Sequence, residues 1–357
     1  MTVALMQLHY RLTSKVMKTR NLFLFVLLVL SFACEDKIEK PLVSAKSAND
    51  QPLAAPMKGG NTKGGNTAGR LGVAKFYAVS NQWGGAQWSW KGDFNGDKKW
   101  DVISVTGTTA YLKLSGGEFG SYTCSTWSTN GEYSSVPAYN FTGDFNGDGL
   151  TDIASAIGNT VKLKLNNYPI AGFVNLNCTV GLDWGVASNT LVGDYNGDGH
   201  DDIASYLGTN VYMKLYNGGE FTSVTWPNAG SWGPNGWTRA MDYNGDGLTD
   251  LVSINGGQLY AKRSYGGGFD QLTFSTANTW GSSGYTWGSG GHNSFGQIFT
   301  AIAGNIYVRT FNGSSWTFET YATSNWWGND GYNWLEDFNN ADDFDVVSAQ
   351  GGQIYVH

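Results

Sequence analysis

An acidic motif recurs along this sequence about every 50 residues, and a repeat of that length limits the folds open to the chain. Its complete form, Asp-x-Asn-Gly-Asp-Gly-x-x-Asp, occupies residues 144–152, 194–202 and 242–250. An earlier copy at 93–101 keeps the four acidic or amide positions but has Lys98 in place of the second glycine. Two degenerate copies follow, at 291–297 and 336–345. The even spacing predicts one fold built from repeated units.

Each repeat carries the signals of four short strands. A β-branched run such as Asp152–Ser155 follows the acidic loop, and an alternating segment such as Val211–Leu215 follows that run. A Gly-Gly or Asn-Gly turn then precedes a strand with an aromatic residue, as at Gly219–Phe221. Four strands per repeat predict an all-β fold, a β-propeller of four-stranded antiparallel blades. The repeat length divides residues 72–357 into six blades.

The two ends of the repeat region complement each other. The last copy stops at 353–357, the third strand of a blade, and residues 73–83 have the pattern of the missing fourth strand. We therefore expect the N-terminal strand to pair with the C-terminal blade and close the ring, which removes the open sheet edges.

Composition agrees with short strands and tight turns. Aromatic residues make up 15% of the chain, charged residues only 14%, and 50 of the 357 residues are glycine. The aromatic content excludes a disordered chain. A net charge of −7 without a basic patch gives nucleic-acid binding no electrostatic support, so we expect no nucleic-acid partner.

Residues 1–34 have the features of an export signal. Lys18 and Arg20 precede an apolar run, Leu22–Ala33, of 12 residues, which is too short to span a bilayer but suits the core of a signal peptide. Met17 stands directly before the basic residues and is the expected true start.

The apolar run ends at Cys34, and the segment Ser31–Cys34 resembles the lipobox of bacterial lipoproteins. We therefore expect lipidation of Cys34 and an outer-membrane or cell-surface lipoprotein, with a secreted protein as the alternative. Residues 35–71 contain proline and a repeated Lys-Gly-Gly-Asn-Thr, which indicates a flexible linker to a domain at 72–357. Cys124 and Cys178 occupy non-equivalent repeat positions, so two buried thiols are favoured over a disulfide.

The extended motif, Asp-Phe-Asn-Gly-Asp-Gly-x-x-Asp-Ile, resembles the FG-GAP/VCBS repeat over residues 72–357. That repeat occurs in the integrin α-subunit propeller, in fungal calcium-dependent propeller lectins and in many bacterial surface proteins. The family usually has seven blades, so the resemblance makes seven the alternative to the six counted.

The acidic loops have the ligand pattern of calcium sites. Side chains at positions 1, 3, 5 and 9 and the carbonyl at position 7 supply the hard oxygen donors that Ca²⁺ prefers. The predicted ligands are Asp93, Asn95, Asp97, Asp101, Asp144, Asn146, Asp148, Leu150, Asp152, Asp194, Asn196, Asp198, His200, Asp202, Asp242, Asn244, Asp246, Leu248 and Asp250. The sixth copy offers a weaker set, Asp337, Asn339 and Asp345. We expect a structural role for Ca²⁺, with ligand bridging as the alternative.

A second motif, Trp-Gly-x-x-Gly-aromatic or a close variant, precedes the acidic loops and lies in the connectors between blades. Strand alternation predicts that these connectors lie opposite the acidic loops, where exposed rings could stack on sugars. The predicted ligand-binding residues are Trp83, Trp232, Trp280 and Trp327. The alternative is that these rings pack between blades as core.

These features favour a cell-surface, carbohydrate-binding module over a protein adhesion module, and both over a polysaccharide lyase or hydrolase. The expected partner is a glycan or an extracellular protein, and membrane contact is expected only through the lipid anchor. The four histidines fall in the leader, in the acidic loops and at the last residue, so they form no catalytic constellation with serine or cysteine.

Overall fold

A computed structural model describes most of the repeat region. The described residues are 75–78, 83, 88–115, 122–129, 131–170, 172–227, 230–291, 294–322, 333–336, 345–350 and 353–356. Contacts divide the chain into units at Met1–Asn66 and Thr67–His357, and every described residue belongs to the second. The leader with Met17 and Cys34, the linker, Trp327, Asp337 and Asn339 lie outside these ranges.

The described strands form six four-stranded antiparallel sheets, and five of them are blades of consecutive strands. Blade 1 contains β2 (Ser89–Gly92), β3 (Asp101–Thr106), β4 (Thr109–Ser115) and β5 (Tyr122–Ser128). Blade 2 contains β6 (Asn140–Gly143), β7 (Asp152–Ile157), β8 (Thr160–Asn166) and β9 (Phe173–Thr179). Blade 3 contains β10 (Thr190–Gly193), β11 (Asp202–Leu207), β12 (Asn210–Tyr216) and β13 (Phe221–Pro227). Blade 4 contains β14 (Thr238–Met241), β15 (Asp250–Asn255), β16 (Gln258–Ser264) and β17 (Phe269–Ser275). Blade 5 contains β18 (Thr286–Gly291), β19 (Ser294–Ile302), β20 (Asn305–Phe311) and β21 (Trp316–Ala322).

The sixth sheet is composite. It joins β22 (Asn333–Glu336), β23 (Asp345–Gln350) and β24 (Gln353–Val356) to β1 (Lys75–Ala78), in the order β1-β24-β23-β22. The pairing of β1 with β24 was expected from the sequence. The expectation of six or seven blades is corrected to five uninterrupted blades and this composite sheet. Each of the six repeats contributes its strands to one sheet, so the described ranges contain no seventh sheet.

Contacts between sheets follow the order of the chain. The first strands of successive sheets touch one another from β2 through β6, β10, β14 and β18 to β22. The last and first sheets also meet, since Lys91 Nζ donates to the Leu335 carbonyl at 2.9 Å. Val102 of β3 shares a hydrophobic cluster with Trp334 and Val347. The composite sheet therefore lies between blades 5 and 1.

A buried polar pair joins the first and second strands of all six sheets. In blade 3 the hydroxyls of Thr190 and Ser205 lie 2.8 Å apart, and in the composite sheet Ser348 Oγ donates to Asn333 Oδ1 at 2.6 Å. The equivalent pairs are Ser89–Ser104, Asn140–Ser155, Thr238–Ser253 and Thr286–Thr300. Each partner satisfies the other's buried hydrogen-bonding capacity, so the composite sheet repeats the internal chemistry of the blades.

The core lies between neighbouring sheets. The aromatic residue at position 2 of each complete loop is buried and packs against the following blade. Phe145 of blade 2, for example, contacts Tyr216 and Phe221 of blade 3 with ring centroids 6.5 and 6.1 Å apart. Burying one such side chain stabilises the fold by about 1.5–3 kcal/mol.

Blade 5 lacks an acidic loop. Its strand β19 has nine residues instead of six, and the pairing of β18 with β19 extends to Gly291 and Ser294 after a register shift. With the acidic residues replaced, the backbone continues the strand ladder where the other blades form a loop.

Candidate functional site

The acidic loops are closed by their own carboxylates. In blade 3, Asp194 Oδ1 accepts the amides of Gly197 and Asp198 at 2.6 and 3.2 Å, and its Oδ2 accepts the amide of Gly199 at 2.9 Å. Asp198 Oδ1 accepts the His200 amide at 2.9 Å. The loops at 93–101, 144–152 and 242–250 have closely similar bonds. The side chains at positions 1 and 5 therefore set the loop's curvature.

The aspartate at position 9 links its loop to the third strand. Asp202 is fully buried, its Oδ2 accepts the Tyr195 amide at 3.3 Å, and its Oδ1 accepts the Tyr216 amide at 2.9 Å. The equivalent residues, Asp101, Asp152 and Asp250, make the same two bonds. This clamp is a structural role that the spacing of the motif did not reveal.

Burial also disfavours the charged form of the aspartates at position 9. Desolvation raises the pKa of Asp101, Asp152 and Asp202 to about 8 and that of Asp250 to about 9, and neighbouring carboxylates add to the effect against the lowering by backbone amides. In blade 3 the acidic neighbours are Asp198 and Asp194. Several acidic groups thus lie close together around a desolvated carboxylate, and a bound cation would relieve their repulsion.

The residues present fit a hard divalent cation in their donor chemistry. Positions 1, 3, 5 and 9 offer only carboxylate and amide oxygens, and a carboxylate oxygen that accepts one amide keeps a second lone pair. Within the described ranges no three acidic, histidine or cysteine side chains are already drawn together as a metal centre. Ion binding would therefore require the carboxylates to turn from the backbone amides toward a common point. Of Asp345 the structure places only the backbone, as the first residue of β23.

Consecutive acidic loops are linked to one another. The amide at position 8 of one loop donates to the carbonyl at position 1 of the preceding loop. The distances are 2.8 Å for Thr151 to Asp93, 2.9 Å for Asp201 to Asp144 and 2.8 Å for Thr249 to Asp194. Four loops thus form one hydrogen-bonded chain at one end of the blades.

A set of aromatic residues lies at the end of the strands opposite the acidic loops. We call Trp83, Tyr133, Trp184, Trp232 and Trp280 the connector aromatics. The indole N–H groups of Trp184, Trp232 and Trp280 donate to the carbonyls of Gly158, Gly208 and Gly256 at 3.3, 3.0 and 2.7 Å. Those glycines lie in the turns after the second strands, whereas the acidic loops precede the same strands. The two sites are therefore about 20 Å apart, the length of a six-residue strand.

Beneath each connector aromatic lies a buried cation from the third strand of the next blade. We call these five residues, Lys113, Lys164, Lys214, Lys262 and Arg309, the strand cations. Their charged groups lie 4.0, 4.4, 4.8, 4.3 and 3.5 Å from the aromatic ring centroids. Four of them also donate to the carbonyl just before the aromatic residue, at Glu132, Asp183, Ser231 and Thr279. Cation–π attraction and this hydrogen bond together fix each ring.

Reasoning from the sequence missed the strand cations because they stand in strands with alternating residues, where a lysine is expected to face solvent. One signal could have identified them. Each lies 12 residues after position 9 of its acidic loop or the equivalent residue, as Lys214 follows Asp202 and Arg309 follows Gln297. The same position in the last repeat is His357, which lies outside the described residues.

The glycine after each tryptophan has a packing reason. The amides of Gly185 and Gly233 donate to the second-strand hydroxyls of Ser205 and Ser253 at 2.8 and 2.7 Å. A Cβ on Gly233 would lie 1.8 Å from the Ile254 carbonyl oxygen, closer than atoms can approach. The glycine thus fixes the connector to the following blade, while the indole N–H of the tryptophan bonds to the preceding blade.

The predicted ligand-binding tryptophans differ in how much of each ring is covered. Tyr206 stacks on Trp232 at 3.7 Å with an interplanar angle of 7°, and Lys262 covers the other face. Trp280 is half-buried, with Arg309 on one face, and Trp83 is half-buried over Lys113. All three pack against hydrophobic clusters, as the alternative packing role requires. A sugar could stack on Trp232 only if Tyr206 moved away.

The structure also bears on the two cysteines of the repeat region and on membrane-spanning helices. Cys124 and Cys178 are not joined by a disulfide. Cys178 is buried as expected, whereas Cys124 is exposed, because it lies in the outer strand β5. No helix in the described ranges is long and apolar enough to cross a membrane.

Comparisons with known proteins agree with this architecture. The sequence model of the FG-GAP-like repeat family matches residues 194–253. A search of curated protein sequences gave no significant match. Among solved structures, a lectin from Agrocybe aegerita that recognises non-reducing terminal N-acetylglucosamine is 17% identical, with a TM-score of 0.52 over 78% of this chain and 84% of the lectin.

A second structure, the Photorhabdus luminescens Tc holotoxin pore, is 12% identical with a TM-score of 0.55, and the match spans 80% of this chain but only 14% of the toxin chain. Identities this low show a shared fold and nothing more. The recurring acidic motif, the match to the family's sequence model over residues 194–253 and the four-stranded antiparallel blades together support an FG-GAP repeat β-propeller.

Proposed function

We propose that this protein is a calcium-binding β-propeller that binds carbohydrate through the connector aromatics. The observation that carries the proposal is that these rings are held in place before any ligand arrives. Each rests on a strand cation, and three of the indole N–H groups are bonded to turn carbonyls. A fixed ring loses little conformational entropy when a sugar stacks on it, so such a platform favours binding. The fold shared with a lectin supports the same assignment.

The connector aromatics are not equivalent as sugar platforms. Trp280 has one face on Arg309 and its indole N–H on Gly256, and no described ring stacks on it, although it is half-buried to the same degree as Trp232. Trp232 is enclosed between Tyr206 and Lys262. We therefore assign sugar stacking to Trp280 before Trp232, while Trp83 and Trp327 remain candidates by their place in the repeat.

Calcium has a structural role in this proposal. Ions held by positions 1, 3, 5, 7 and 9 of the four loops would neutralise the carboxylates and stiffen the end of each blade. The absence of a glutamate at position 12 favours weak affinity, about 10⁻⁴–10⁻³ M. The loops lie opposite the connector aromatics, so the ions would stabilise the platform without touching the sugar.

The finer features of the molecule belong to the same proposal. The composite sheet would complete a closed six-bladed ring, because it contacts both blade 5 and blade 1. The lipobox-like Cys34 and the linker at 35–71 would tether that ring to the cell surface. Display at the surface suits a protein whose ligand is a glycan.

Protein adhesion is the second candidate, and one observation favours it. Leu182 lies in a connector and Leu207 ends the second strand β11; they are 73% and 52% exposed, at the same end as the connector aromatics. Exposed apolar side chains near aromatic rings suit a protein partner.

A glycan array probed with the full chain, with calcium and with a chelator, tests the proposal. We expect calcium-dependent binding to a defined sugar, lost in Trp280→Ala. Trp232→Ala is the matched control, because it removes a similar packing residue that lacks a free face, so it should lower stability more than affinity. An intact fold that binds no glycan would contradict the proposal and turn the search to protein partners.

A further inference from the structure

Arg309 differs from the other strand cations because much of its guanidinium has no acceptor. The side chain is fully buried, and its Nη2 donates to the carbonyls of Ala277, at 3.0 Å, and Thr279. Its Nε and Nη1 atoms are buried without a hydrogen-bond partner among the described residues. A guanidinium has five N–H hydrogens, so three of them are unsatisfied here.

The positive charge on Arg309 is also unpaired. No carboxylate lies within ion-pair distance of it in the described part of the chain. Burial lowers the pKa of Arg309 only to about 10, so the group stays charged at neutral pH. A buried cation without a counter-ion is costly, and buried charges in proteins are usually paired. The ammonium nitrogens of the four lysines among the strand cations show no such deficit.

Two aromatic rings enclose the guanidinium. Its Cζ lies 3.5 Å from the centroid of Trp280 and 5.1 Å from that of Phe318. Phe318, on the outer strand β21, is 41% exposed and stacks on Tyr307 with ring centroids 6.0 Å apart. Phe318 is thus a partly exposed ring beside the buried charge, and rotation about its χ1 bond is the movement by which we infer a ligand would reach the guanidinium.

We propose that Arg309 binds the carboxylate of an acidic sugar, with the sugar ring lying against Trp280 and Phe318. Unsatisfied N–H groups and an unpaired charge call for an anion, and flanking aromatic rings favour a ligand with a C–H face. This inference rests on the proposed carbohydrate-binding function and adds the class of sugar to it. Phe318 acts as the movable cover, and blade 5 supplies the binding subsite.

The repeat itself provides the sharpest variant. Arg309→Lys introduces the residue that four other blades carry here, so the charge and the contact with Trp280 persist while the extra N–H donors are lost. Arg263→Lys is the matched control, because Arg263 lies on the surface in an ion pair with Asp270. Melting curves on both variants report whether the fold is retained.

Calorimetric titration of the calcium-loaded full chain tests the proposal with three probes: trigalacturonate, its methyl ester and acetate. We expect trigalacturonate to bind at least about tenfold more tightly than its ester, and Arg309→Lys to remove that preference while Arg263→Lys keeps it. Equal binding of acid and ester by the wild-type protein would overturn the proposal even if Arg309→Lys failed to fold. So would an unchanged preference in Arg309→Lys, or acetate binding as tightly as trigalacturonate, which would indicate an anion site without sugar recognition.

The neutral glycans of the array separate this inference from the proposed function. If wild type and Arg309→Lys bind neutral glycans alike and trigalacturonate binds neither, the acidic-sugar site is wrong and carbohydrate binding stands. If no neutral glycan binds but trigalacturonate binds wild type with the predicted preference, the acidic sugar is the ligand class. If no probe binds at all, both proposals fail.

Discussion

The Nζ atom of Lys262 lies 4.3 Å from the centroid of the Trp232 indole, with the amine buried and bonded to Gln271 Oε1 at 2.6 Å. Equivalent pairs recur in four other blades, so this contact is a standard joint between neighbouring blades. Each cation contacts the connector that precedes its own blade. Neighbouring blades therefore pack in the order in which they follow one another along the chain.

Lys262 should make stability depend on pH. Desolvation lowers its folded pKa from 10.5 to about 7, so the unfolded chain binds more protons between these values. The free energy of unfolding therefore gains from this residue as pH rises through the window. We expect the stability of wild type minus that of Lys262→Met to increase with pH in urea titrations. Lys162→Met, at a partly exposed lysine, is the control, and a difference that does not vary with pH would refute the argument.

The position 9 aspartates should have the opposite effect on the pH dependence of stability in the protein without the calcium that we propose. Burial raises the folded pKa of Asp101, Asp152 and Asp202 from 3.8 to about 8, so the folded state binds more protons between these values. Stability should fall as pH rises across that window. With calcium present the ions would hold the carboxylates ionised, and the melting temperature should vary less. Equal pH profiles with calcium and with chelator would contradict this expectation.

Lys98 occupies a position where glycine suits the backbone better. Its φ is 64°, and the equivalent glycines, Gly149, Gly199 and Gly247, have φ of 86°, 85° and 89°. Left-handed conformation costs a non-glycine residue about 1–2 kcal/mol, partly offset by the flexibility that glycine adds to the unfolded chain. Lys98→Gly should therefore stabilise the protein by up to about 1 kcal/mol and tighten the calcium binding that we propose for the first loop. Lys99→Gly is the control and should be destabilising.

Each buried polar pair between the first and second strands should contribute to the free energy of unfolding on its own. Ser205 Oγ contacts the Thr190 hydroxyl and accepts the Gly185 amide, each at 2.8 Å. Ser205→Ala leaves that amide without its acceptor, which should cost about 1–3 kcal/mol of unfolding free energy. Thr222→Ala, on the exposed face of β13, should cost much less in the same denaturant titration. Similar losses at both positions would indicate that the pair is not important.

Much of the architecture followed from periodic features of the sequence. The acidic motif located the loop between the first and second strands, and the pattern of 73–83 predicted the strand that pairs with β24. These predictions rest on local rules, turn chemistry and strand alternation, that tertiary contacts did not override. The two ends of the blades could likewise be assigned from strand direction alone.

The features that could not be predicted from the sequence depend on contacts between strands and between repeats. Tyr206 covers Trp232, but its equivalent in blade 2 is Ala156, so ring exposure is decided by a residue about 26 positions away. The two hydrogen bonds that Asp202 accepts from the Tyr195 and Tyr216 amides likewise require the third strand to be in place. The missing acceptors of Arg309 are a property of packing, which no spacing rule reports.

The pairing of β1 with β24 also determines when the last sheet can form. Phe76 pairs with Tyr355, so this sheet needs residues 279 positions apart, whereas each of the five uninterrupted blades is complete within about 40 residues. During synthesis those blades can form one after another, but the composite sheet must wait until its final strand has been made. Until then β1 is held without a partner, and the late meeting of these strands should be the slow step in reaching the native state.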